Sequence, residues 1–562
     1  MTIEVAPREP RQREDALTRK RIGLLLGVVA AVALVLLLPD SLAVEGRITA
    51  AIAGLMAVWW MTEAIPLAAT ALLPLVLFPV FGVSDITDAA SPYASDIVFL
   101  FMGGFMIAIA MQRWNLHRRI ALSVVAAVGT SPAMLVAGFM LATGFITMWV
   151  SNTATAIMMY PIGLSVLIVL GHVDGRTGTD ESAEVAGTDD AVPPSGDEAG
   201  SVTGETADDQ PPADRAETTG PDTTGPDGAG PDGAGSGRTD PNFPVVLMLG
   251  IAYAASIGSI ATLIGTPPNA LLRGYLAENH DIHIGFGQWM LVGLPLAAVM
   301  LVLTWLLLTK VIYPVKGGDS GAGRQVVRQE LAKLGPMSRG EWSVLAVFVA
   351  AAVSWVLVPL LAQNSAIAEA VPWLERIGDT VIAIGAALLL FLIPVNRRTG
   401  TPLLTWDTGA KLPWGILLLF GGGLSLSARF EDSGLSAWIG ERVGAFGSIP
   451  LWALILLVTA IVLFLTELTS NTATAAVFIP IMGGVAMGLD MNVMTLVVPT
   501  AIAATLAFML PVATPPNAIV FGSGQVRIGQ MVRSGFWLNL ISLVLIMLAM
   551  YGLAGWAFGI VL

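Results

Sequence analysis

The hexapeptide Ser-Asn-Thr-Ala-Thr-Ala stands at residues 151–156 and occurs again, unchanged, at residues 470–475. Downstream of each copy lies a second shared motif, Thr-Pro-Pro-Asn-Ala, at residues 266–270 and 514–518. Two different motifs in the same order in both halves predict an internal repeat. The stretch between the motifs is much longer in the first half than in the second, so the first half should carry an insertion.

The segment of residues 172–242 has the length and the composition of this insertion. It is rich in Gly, Pro and Thr and holds 17 acidic residues against 3 Arg, while the whole chain has a net charge of −13. Such a segment buries too little apolar surface to offset its ordering entropy. We expect a disordered, acidic cytoplasmic insertion, with a binding tail as the alternative. The acidity of the chain therefore belongs to this segment and not to a functional site.

The remaining sequence has the composition of a membrane protein. Of the 562 residues, 55% are hydrophobic and 12% are charged, against roughly 25% charged in soluble proteins. Apolar runs such as residues 22–38 and 536–551 approach the ~20 residues that a spanning helix needs. We therefore expect an all-α integral membrane protein. The chain has no cysteine, which excludes disulfides, thiol catalysis and cysteine metal sites.

Clusters of Lys and Arg predict the orientation, because cytoplasmic loops carry an excess of them. The basic clusters at residues 8–21, 113–119 and 310–339 place the N-terminus in the cytoplasm and the C-terminus outside, with the two repeats inverted. An alternative for the N-terminus is a cleaved secretory signal. The expected units are a cytoplasmic segment (1–21), a first helix with its loop (22–48), a first repeat (49–315), a cytoplasmic linker (316–340) and a second repeat (341–562).

The two motifs interrupt hydrophobic segments at four places. Pro-Pro stops a helix, and irregular backbone at membrane depth is tolerated only inside protein or beside a cavity. The amides that begin a helix can bind an anion, and free carbonyls can bind a cation. Ser and Asn are good N-cap residues whose side chains also donate hydrogen bonds. The breaks therefore predict a binding site for a carboxylate anion, with interhelical hydrogen bonding and simple helix kinks as the structural alternative.

A cation is expected at each Ser-Asn-Thr tip, because the local sequence has no Lys, Arg or His to offset the charge of a divalent anion. Thr147 lies four residues before Ser151, and Thr466 lies four before Ser470, so each hydroxyl pair shares one helix face. With the Asn side-chain oxygens and the carbonyls of the breaks, each half could build one oxygen cage for sodium.

The doubled motifs closely resemble those of the divalent anion/sodium symporter family, which includes bacterial dicarboxylate transporters and the citrate carrier. Residues 60–66, Trp-Met-Thr-Glu-Ala-Ile-Pro, are also similar to the family. The resemblance runs from about residue 51 to residue 562, apart from the insertion. It implies about eleven spanning helices, broken helices, two re-entrant hairpins, an elevator motion and a homodimer.

The resemblance also implies site residues, by motif position. The first sodium ion would be bound by Thr147, Ser151, Asn152 and Gly265, and the second by Thr466, Ser470, Asn471 and Ala513. The substrate would contact Ser151, Asn152, Thr153, Ser470, Asn471, Thr472, Thr514 and Pro515. Thr147 replaces the serine that many family members have, but its hydroxyl remains.

Two further groups have open roles. Glu63 and Glu467 lie beside breaks, and a carboxylate within a membrane is a functional candidate; Glu467 either tunes the second cation site or caps a hairpin near water. His280 and His283 have the spacing of metal ligands but lack a third ligand pattern, so we expect them in a solvated loop.

Together these features predict secondary active, sodium-coupled symport of di- or tricarboxylates, such as succinate, malate, fumarate or citrate, into the cell. The alternatives are a sulfate transporter or a sodium-independent dicarboxylate exchanger of the same fold. A membrane enzyme would need a nucleophile–base pair, a metal cluster or a nucleotide motif, none of which the sequence offers. A channel is disfavoured because inverted broken helices suit alternating access. No nucleic-acid partner is expected.

Overall fold

The structure is a computed structural model that describes residues 10–129, 131–171, 240–316, 322–396, 400–444 and 449–560. The predicted disordered insertion, 172–242, lies outside the described residues except for its last three.

The first half of the chain consists of successive helices, separated by loops or single turns. They are α1 (Pro10–Leu37), α2 (Val44–Thr62), α3 (Leu67–Thr70), α4 (Leu73–Val80), α5 (Ile86–Ala90), α6 (Asp96–Arg113), α7 (Leu116–Val128), α8 (Pro132–Thr147), α9 (Asn152–Val169), α10 (Asn242–Ser259), α11 (Pro267–His280) and α12 (Phe286–Leu306). A 3₁₀ turn, Ser91–Ala94, precedes α6, and a π-helical segment, Leu307–Ile312, continues α12.

The second half follows the same plan after a short connecting helix. Its helices are α13 (Ala322–Lys333), α14 (Arg339–Ala362), α15 (Ser365–Ala370), α16 (Asp379–Leu392), α17 (Trp406–Gly409), α18 (Trp414–Asp432), α19 (Leu435–Gly444), α20 (Leu451–Leu465), α21 (Asn471–Gly488), α22 (Met494–Thr505), α23 (Pro515–Gly522), α24 (Ile528–Ala549) and α25 (Gly555–Phe558). A 3₁₀ turn (Pro372–Arg376), a π segment (Met550–Ala554) and a two-stranded antiparallel ribbon of β1 (Pro394–Asn396) and β2 (Thr401–Pro402) complete it.

Many of these helices have the length and apolarity of membrane spans. Among the described residues, eight helices could cross a membrane by length and composition, and five shorter apolar helices accompany them. The window of α10 is 94% buried, whereas that of α1 is 11% buried. A helix that is apolar on all sides must be surrounded by protein or lipid, so α10 lies in the centre of the bundle and α1 on its periphery.

The internal repeat predicted from the motifs also appears in the helix boundaries. Helices α7, α8 and α9 begin at residues 116, 132 and 152, and α19, α20 and α21 begin at 435, 451 and 471. Each pair of starts has the same separation along the chain as the two hexapeptides. Proline lies inside α9 at Pro161 and inside α21 at Pro480, again with this separation. The repeat is therefore structural as well as sequential.

Two helical hairpins form at the Ser-Asn-Thr motifs. Helix α8 packs against α9, and α20 packs against α21, with the motif at the connection in each case. Helix α8 has 16 residues and α20 has 15, which gives about 24 Å at ~1.5 Å per residue. That is shorter than the ~30 Å hydrocarbon layer, as the prediction of re-entrant hairpins requires.

The predicted linker, 316–340, contains a well-anchored helix. Helix α13 packs on α7 and α9, and Arg324 donates to the carbonyl of Ala126 at 3.0 Å. Close by, the carboxylate of Asp240 accepts the backbone N–H of Lys316, and Asn242 donates to the carbonyl of Pro314 at 3.1 Å. The chain that follows the insertion is thus fastened to the start of the connection between the halves.

Candidate substrate and cation site

Four helices begin at the four motifs. Asn152 starts α9 and Asn471 starts α21, while the first proline of each Pro-Pro pair starts α11 and α23. Proline is favoured in the first turn, where its missing N–H is not needed. Each of these starts carries free backbone N–H groups and the positive end of a helix dipole.

Contacts between the halves join the four motif helices in two pairs. Helix α9 packs against α23, and α11 packs against α21, so each Ser-Asn-Thr helix lies against the Pro-Pro helix of the other half. The packing is reciprocal, because each half supplies one helix to each pair. It is the arrangement that a single site built from two repeats needs.

In the first half, three oxygens converge beside the tip. Thr147 Oγ1 lies 2.6 Å from Asn152 Oδ1 and 3.0 Å from the carbonyl oxygen of Ala255. The Nδ2 of Asn152 points the other way, toward Ser259 Oγ at 3.4 Å. Thr147 is fully buried, so water does not compete for its hydroxyl.

The second half has the same cluster. Thr466 Oγ1 lies 2.8 Å from Asn471 Oδ1 and 2.9 Å from the carbonyl oxygen of Ala504, and Nδ2 of Asn471 donates to the carbonyl of Thr505 at 3.0 Å. Thr466 is also fully buried. The contact of threonine with asparagine is therefore present in both halves with nearly equal distances. The predicted stacking of each threonine and serine on one helix face is wrong, because one helix ends at or directly before each threonine and the serine is the N-cap of the next helix.

Each cluster has the chemistry of a site for a hard cation. An amide oxygen and a carbonyl oxygen are acceptors only, and a hydroxyl brings a single proton. Each cluster therefore has two acceptor oxygens but only one hydroxyl hydrogen. One of the two acceptors is left without a hydrogen bond from this hydroxyl. Oxygen ligands of this kind suit hard cations such as sodium, which can bind all three at once.

The structure adds two carbonyls that the motifs did not indicate, and the role of Gly265 and Ala513 as ligands stays a prediction. Gly265 and Ala513 lie in two irregular stretches, residues 260–266 between α10 and α11 and residues 506–514 between α22 and α23. Their amides donate to the carbonyls of Thr262 at 3.4 Å and Leu510 at 3.2 Å. The oxygens in contact with the threonines come from Ala255 and Ala504, in or beside the last turn of α10 and α22. The signal that could have found them is the helix end itself, where carbonyls lose their helical partners.

The asparagine of each Pro-Pro motif holds the irregular stretch in place. Nδ2 of Asn269 donates to the carbonyls of Ile260 (3.4 Å) and Thr262 (2.9 Å). Nδ2 of Asn517 donates to those of Ala507 (3.2 Å) and Leu510 (3.1 Å). Both asparagines are fully buried. Sequence reasoning assigned no role to either, although the motif itself was the signal.

A glycine on a neighbouring helix packs closely against each irregular stretch. A Cβ at Gly293 of α12 would lie 2.6 Å from the carbonyl oxygen of Ile260, and a Cβ at Gly535 of α24 would lie 2.5 Å from the carbonyl of Phe508. Both distances are too short for a side chain, so these helices approach the breaks closely only because the residue is glycine.

Glu467 binds the second irregular stretch. Its carboxylate accepts the N–H groups of Phe508 at 2.7 Å and Met509 at 2.9 Å, and Nδ2 of Asn539 at 2.7 Å. Glu467 is 2% exposed, so it does not cap a hairpin near water. Glu63, by contrast, is exposed and ends α2 in a left-handed conformation, away from any such network.

The predicted substrate contacts differ in accessibility. Ser151 is exposed and caps α9 by accepting the N–H of Ala154 at 3.3 Å, whereas Ser470 makes no such bond. The accessibility of the others is as follows: Asn152, Thr153, Asn471 and Thr472 are half-buried, Thr514 is buried and Pro515 is exposed. Polar groups of both tips can thus be reached, while the oxygen clusters behind them are closed.

His280 belongs to a helix rather than to the predicted loop. Helix α11 continues through His280, whose Nε2 lies 2.8 Å from Tyr275 Oη. His283 lies beyond the helix and pairs with Asp281 at 3.2 Å. Within the described residues, no group of three His, Cys, Asp or Glu side chains could hold a metal ion.

Solved transporter structures share the fold. The chain aligns with the Alcanivorax borkumensis YdaH transporter at a TM-score of 0.50 and 13% identity, covering 90% of this chain and 98% of that one. It aligns with the Neisseria gonorrhoeae MtrF antimetabolite efflux pump at 0.52 and 12% identity, covering 97% and 96%. At these identities the likeness concerns the fold alone.

Curated relatives are much more similar in sequence. A sodium-dependent dicarboxylate transporter, SdcS, of Staphylococcus saprophyticus is 37% identical over 541 residues, which is 96% of this chain and 92% of the relative. SdcS of Staphylococcus aureus strain USA300 is 37% identical over 532 residues, or 94% and 90%. The family model described as the sodium:sulfate symporter transmembrane region matches residues 19–561. With that match over nearly its whole length, the chain belongs to the sodium:sulfate symporter family of membrane transporters.

Proposed function

We propose that the protein is a secondary active transporter that carries di- or tricarboxylates into the cell together with sodium ions. The observation that carries the proposal is the pair of matching oxygen clusters around Thr147 and Thr466. Two buried cation sites at the bases of two reachable binding tips are what coupling of an anion to sodium requires.

The sodium sites follow from these clusters. The first contains Thr147, Asn152 and the Ala255 carbonyl; the second contains Thr466, Asn471 and the Ala504 carbonyl. Ser151 with Gly265, and Ser470 with Ala513, are the remaining proposed ligands, one pair for each site. With both ions bound, two positive charges lie behind the tips, so a dicarboxylate meets a neutralised environment.

The substrate contacts lie at the helix starts. The tips offer hydroxyl, amide and backbone N–H donors from Ser151, Asn152, Thr153, Ser470, Asn471 and Thr472, supported by Thr514 and Pro515. Donors at helix starts bind carboxylates well because the dipole favours negative charge. The names of the relatives support the same substrate class, since SdcS is a sodium-dependent dicarboxylate transporter.

Sodium-independent exchange is less compatible with the side chains near the motifs. An exchanger would need a basic group in place of the cations. Arg273 lies on α11, the helix that begins at the first Pro-Pro motif, but its guanidinium is 3.0 Å from the carboxylate of Asp379. The relatives are transporters, which also sets aside the hypothesis of a membrane enzyme.

Uptake into proteoliposomes tests the proposal. Radiolabelled succinate should accumulate with an inward sodium gradient and should not accumulate when choline replaces sodium. Unlabelled citrate and sulfate serve as competitors, and malate and fumarate extend the series. Equal uptake in sodium and choline would overturn sodium coupling.

Sulfate is the second candidate substrate, because the matching family model is named for sodium:sulfate symporters. A sulfate ion is smaller than succinate and carries its two charges on one centre. Strong competition by sulfate with none by malate or fumarate would favour sulfate over carboxylates.

The finer architecture is part of the same proposal. The protein is a homodimer in the plasma membrane, with its N-terminus in the cytoplasm and its C-terminus outside. Its repeats, 49–315 and 341–562, have opposite orientations and include about eleven spanning helices. The hairpins and broken helices move together as an elevator past the rest of the protomer. The repeated helix boundaries and the reciprocal packing of α9, α11, α21 and α23 support this view.

A further inference from the structure

A buried ion pair joins a motif helix to a helix that carries no motif. Arg273 of α11 places Nη1 3.0 Å from Oδ2 of Asp379, the first residue of α16, and the two side chains are 8% and 5% exposed. The proposed binding and coupling steps use neither residue. Buried charges are costly, and a pair is often no more stable than two apolar residues in its place. Its presence within a membrane protein therefore suggests a functional role.

Asp379 makes further contacts, so that four helices meet at this residue. Its Oδ2 also accepts the backbone N–H of Phe286, the first residue of α12, at 3.0 Å. Its own carbonyl accepts Nε1–H of Trp355, from α14, at 3.0 Å. Asp379 thus fixes α11, which follows the first break, and α12, which packs against it through Gly293, to α14 and α16.

Aromatic stacking extends this junction to the first binding tip. The ring of Phe286 stacks on Trp355 with centroids 4.4 Å apart. Trp149, two residues before Ser151, stacks on Phe286 at 6.0 Å and meets Phe348 of α14 edge-on at 4.9 Å. The tip that would bind sodium and substrate therefore rests on side chains whose positions Asp379 sets.

We propose that the Arg273–Asp379 pair is a latch that holds the first binding tip and the start of α12 against α14 and α16, and that it opens during transport. The proposal rests on the proposed function, since a latch has meaning only if the site moves relative to the other helices. Arg273 and Asp379 are positioning residues, because they contact neither the oxygen clusters nor the tip directly.

The chemistry of the pair suits a contact that must open and close. Asp379 lies at the start of its helix, where the dipole stabilises its charge. When the two groups separate toward water, each regains hydration, so the open state is not prohibitively costly. An interface that is apolar throughout would expose its surface without such compensation.

Disulfide cross-linking can report the latched state directly, because the natural chain has no cysteine. Gly287 follows Phe286, and a Cβ built at Gly287 would lie 3.6 Å from Cα of Val356 on α14. Because disulfides join residues whose backbones approach this closely, Gly287→Cys and Val356→Cys are a suitable pair for cross-linking. The full-length double-cysteine protein in proteoliposomes is oxidised with copper phenanthroline, and the rate of cross-linking is measured without substrate.

Neutralising the pair should slow cross-linking. Arg273→Met with Asp379→Asn removes both charges together, so that neither is left buried alone; Asp379→Asn alone keeps an acceptor for the Phe286 N–H. We expect each to lower the cross-linking rate at least about fivefold, the lower end of typical coupling between two states. Arg273→Lys, which retains the charge, should restore most of the rate.

A control pair separates this effect from a general loss of stability. Arg119 and Glu341 form another ion pair, at 2.6 Å, whose side chains are 15% and 6% exposed, and they lie on α7 and α14. Arg119→Met with Glu341→Gln should leave the cross-linking rate unchanged. An unchanged rate in both Arg273→Met/Asp379→Asn and Asp379→Asn would overturn the latch.

The transport assay separates this proposal from the proposed function. Sodium-driven succinate uptake by the double-cysteine protein should stop on oxidation and return on reduction with dithiothreitol. Full uptake by the cross-linked protein would overturn the latch, because the contact would not need to open. A protein whose cross-linking depends on the pair, but which never takes up succinate, would support the latch and contradict the proposed substrate.

Discussion

Two helix breaks precede the Pro-Pro pairs, the irregular stretches of residues 260–266 and 506–514. They share one plan but are held by different contacts. In both, an asparagine clamps two carbonyls and a glycine on a neighbouring helix allows close approach. The second break is also bound by the buried carboxylate of Glu467. At the equivalent position of the first half stands Met148, whose backbone carbonyl accepts the hydroxyl of Thr262 at 2.5 Å.

The two halves therefore have the same oxygen cluster, but different contacts stabilise the irregular stretch beside it. The oxygen clusters at Thr147 and Thr466 have nearly the same distances, whereas the networks behind them differ in charge. The first break relies on neutral contacts and, through Asp379, on helices outside the motifs. The second carries its charged support within its own hairpin, so we expect the two halves to respond differently to mutation.

Removing the carboxylate of Glu467 should have the largest effect. Glu467→Leu would leave the N–H groups of Phe508 and Met509 and the amide of Asn539 buried without their acceptor. At about 1–3 kcal/mol for each buried donor, we expect a loss of at least about 3 kcal/mol. Thermal unfolding of the purified protein measures it.

The matched change in the first half is Met148→Leu, which conserves volume and should cost less than about 1.5 kcal/mol. Glu467→Gln, which keeps one acceptor, should fall between the two. Equal melting temperatures for Glu467→Leu and Met148→Leu would show that the carboxylate does not support the break.

The glycine contacts should be equally sensitive in both halves. A Cβ added by Gly293→Ala or Gly535→Ala would meet the backbone of the break at 2.5–2.6 Å, and overpacking of this kind costs about 1–3 kcal/mol. Melting temperatures and succinate uptake should both fall. A Cβ at Gly529, on the same helix as Gly535, meets nothing within 4 Å, so Gly529→Ala is the control. A loss in only one half would contradict the shared plan.

The two cation sites should respond alike to loss of an amide oxygen. Asn152→Ala and Asn471→Ala each remove one oxygen ligand, and we expect the sodium concentration for half-maximal uptake to rise about tenfold, or about 1.4 kcal/mol. Uptake at graded sodium concentrations measures the change. Asn364→Ala, a cap of the short helix α15, is the control. Unchanged sodium dependence in both variants would show that the cages are misplaced.

The insertion should have the smallest effect. The second half connects α21 to α22 through only residues 489–493, so deleting residues 175–236 would make the first half resemble it while keeping Asp240. Shortening a surface connection changes its closure entropy only slightly. We expect uptake within about twofold of the full-length protein. Loss of uptake in a correctly inserted deletion would show that the segment does more than connect α9 to α10.

The position of the candidate site could be predicted because repetition is visible without a structure, while the roles of its residues as ligands stay predictions. The two copies of each motif identified both tips, and the spacing of Thr147 from Ser151 and of Thr466 from Ser470 identified the hydroxyls that face Asn152 and Asn471. Apolar composition predicted the membrane bundle. These features depend on residues close in sequence, where local geometry is known in advance.

Contacts between distant residues could not be predicted in this way. The carbonyls of Ala255 and Ala504 depend on how the ends of α10 and α22 approach the hairpins. Glu467 had two possible roles until its three donors were seen. Nothing in the sequence connects Arg273 with Asp379, because the pair exists only through the packing of α11 against α16. The helical extent of α11 also placed His280 inside an element where a loop was expected.

The hydrogen bond between Asp240 and the start of the linker makes the insertion a suitable place to attach a label. The chain after the insertion is pinned to the segment that follows α12. A fluorescent protein or an affinity handle placed between residues 175 and 236 would therefore be attached behind a fixed point of the bundle. On its other side the insertion follows α9 of the first hairpin, so the label would also report movements of that hairpin while labelled transporters work in cells.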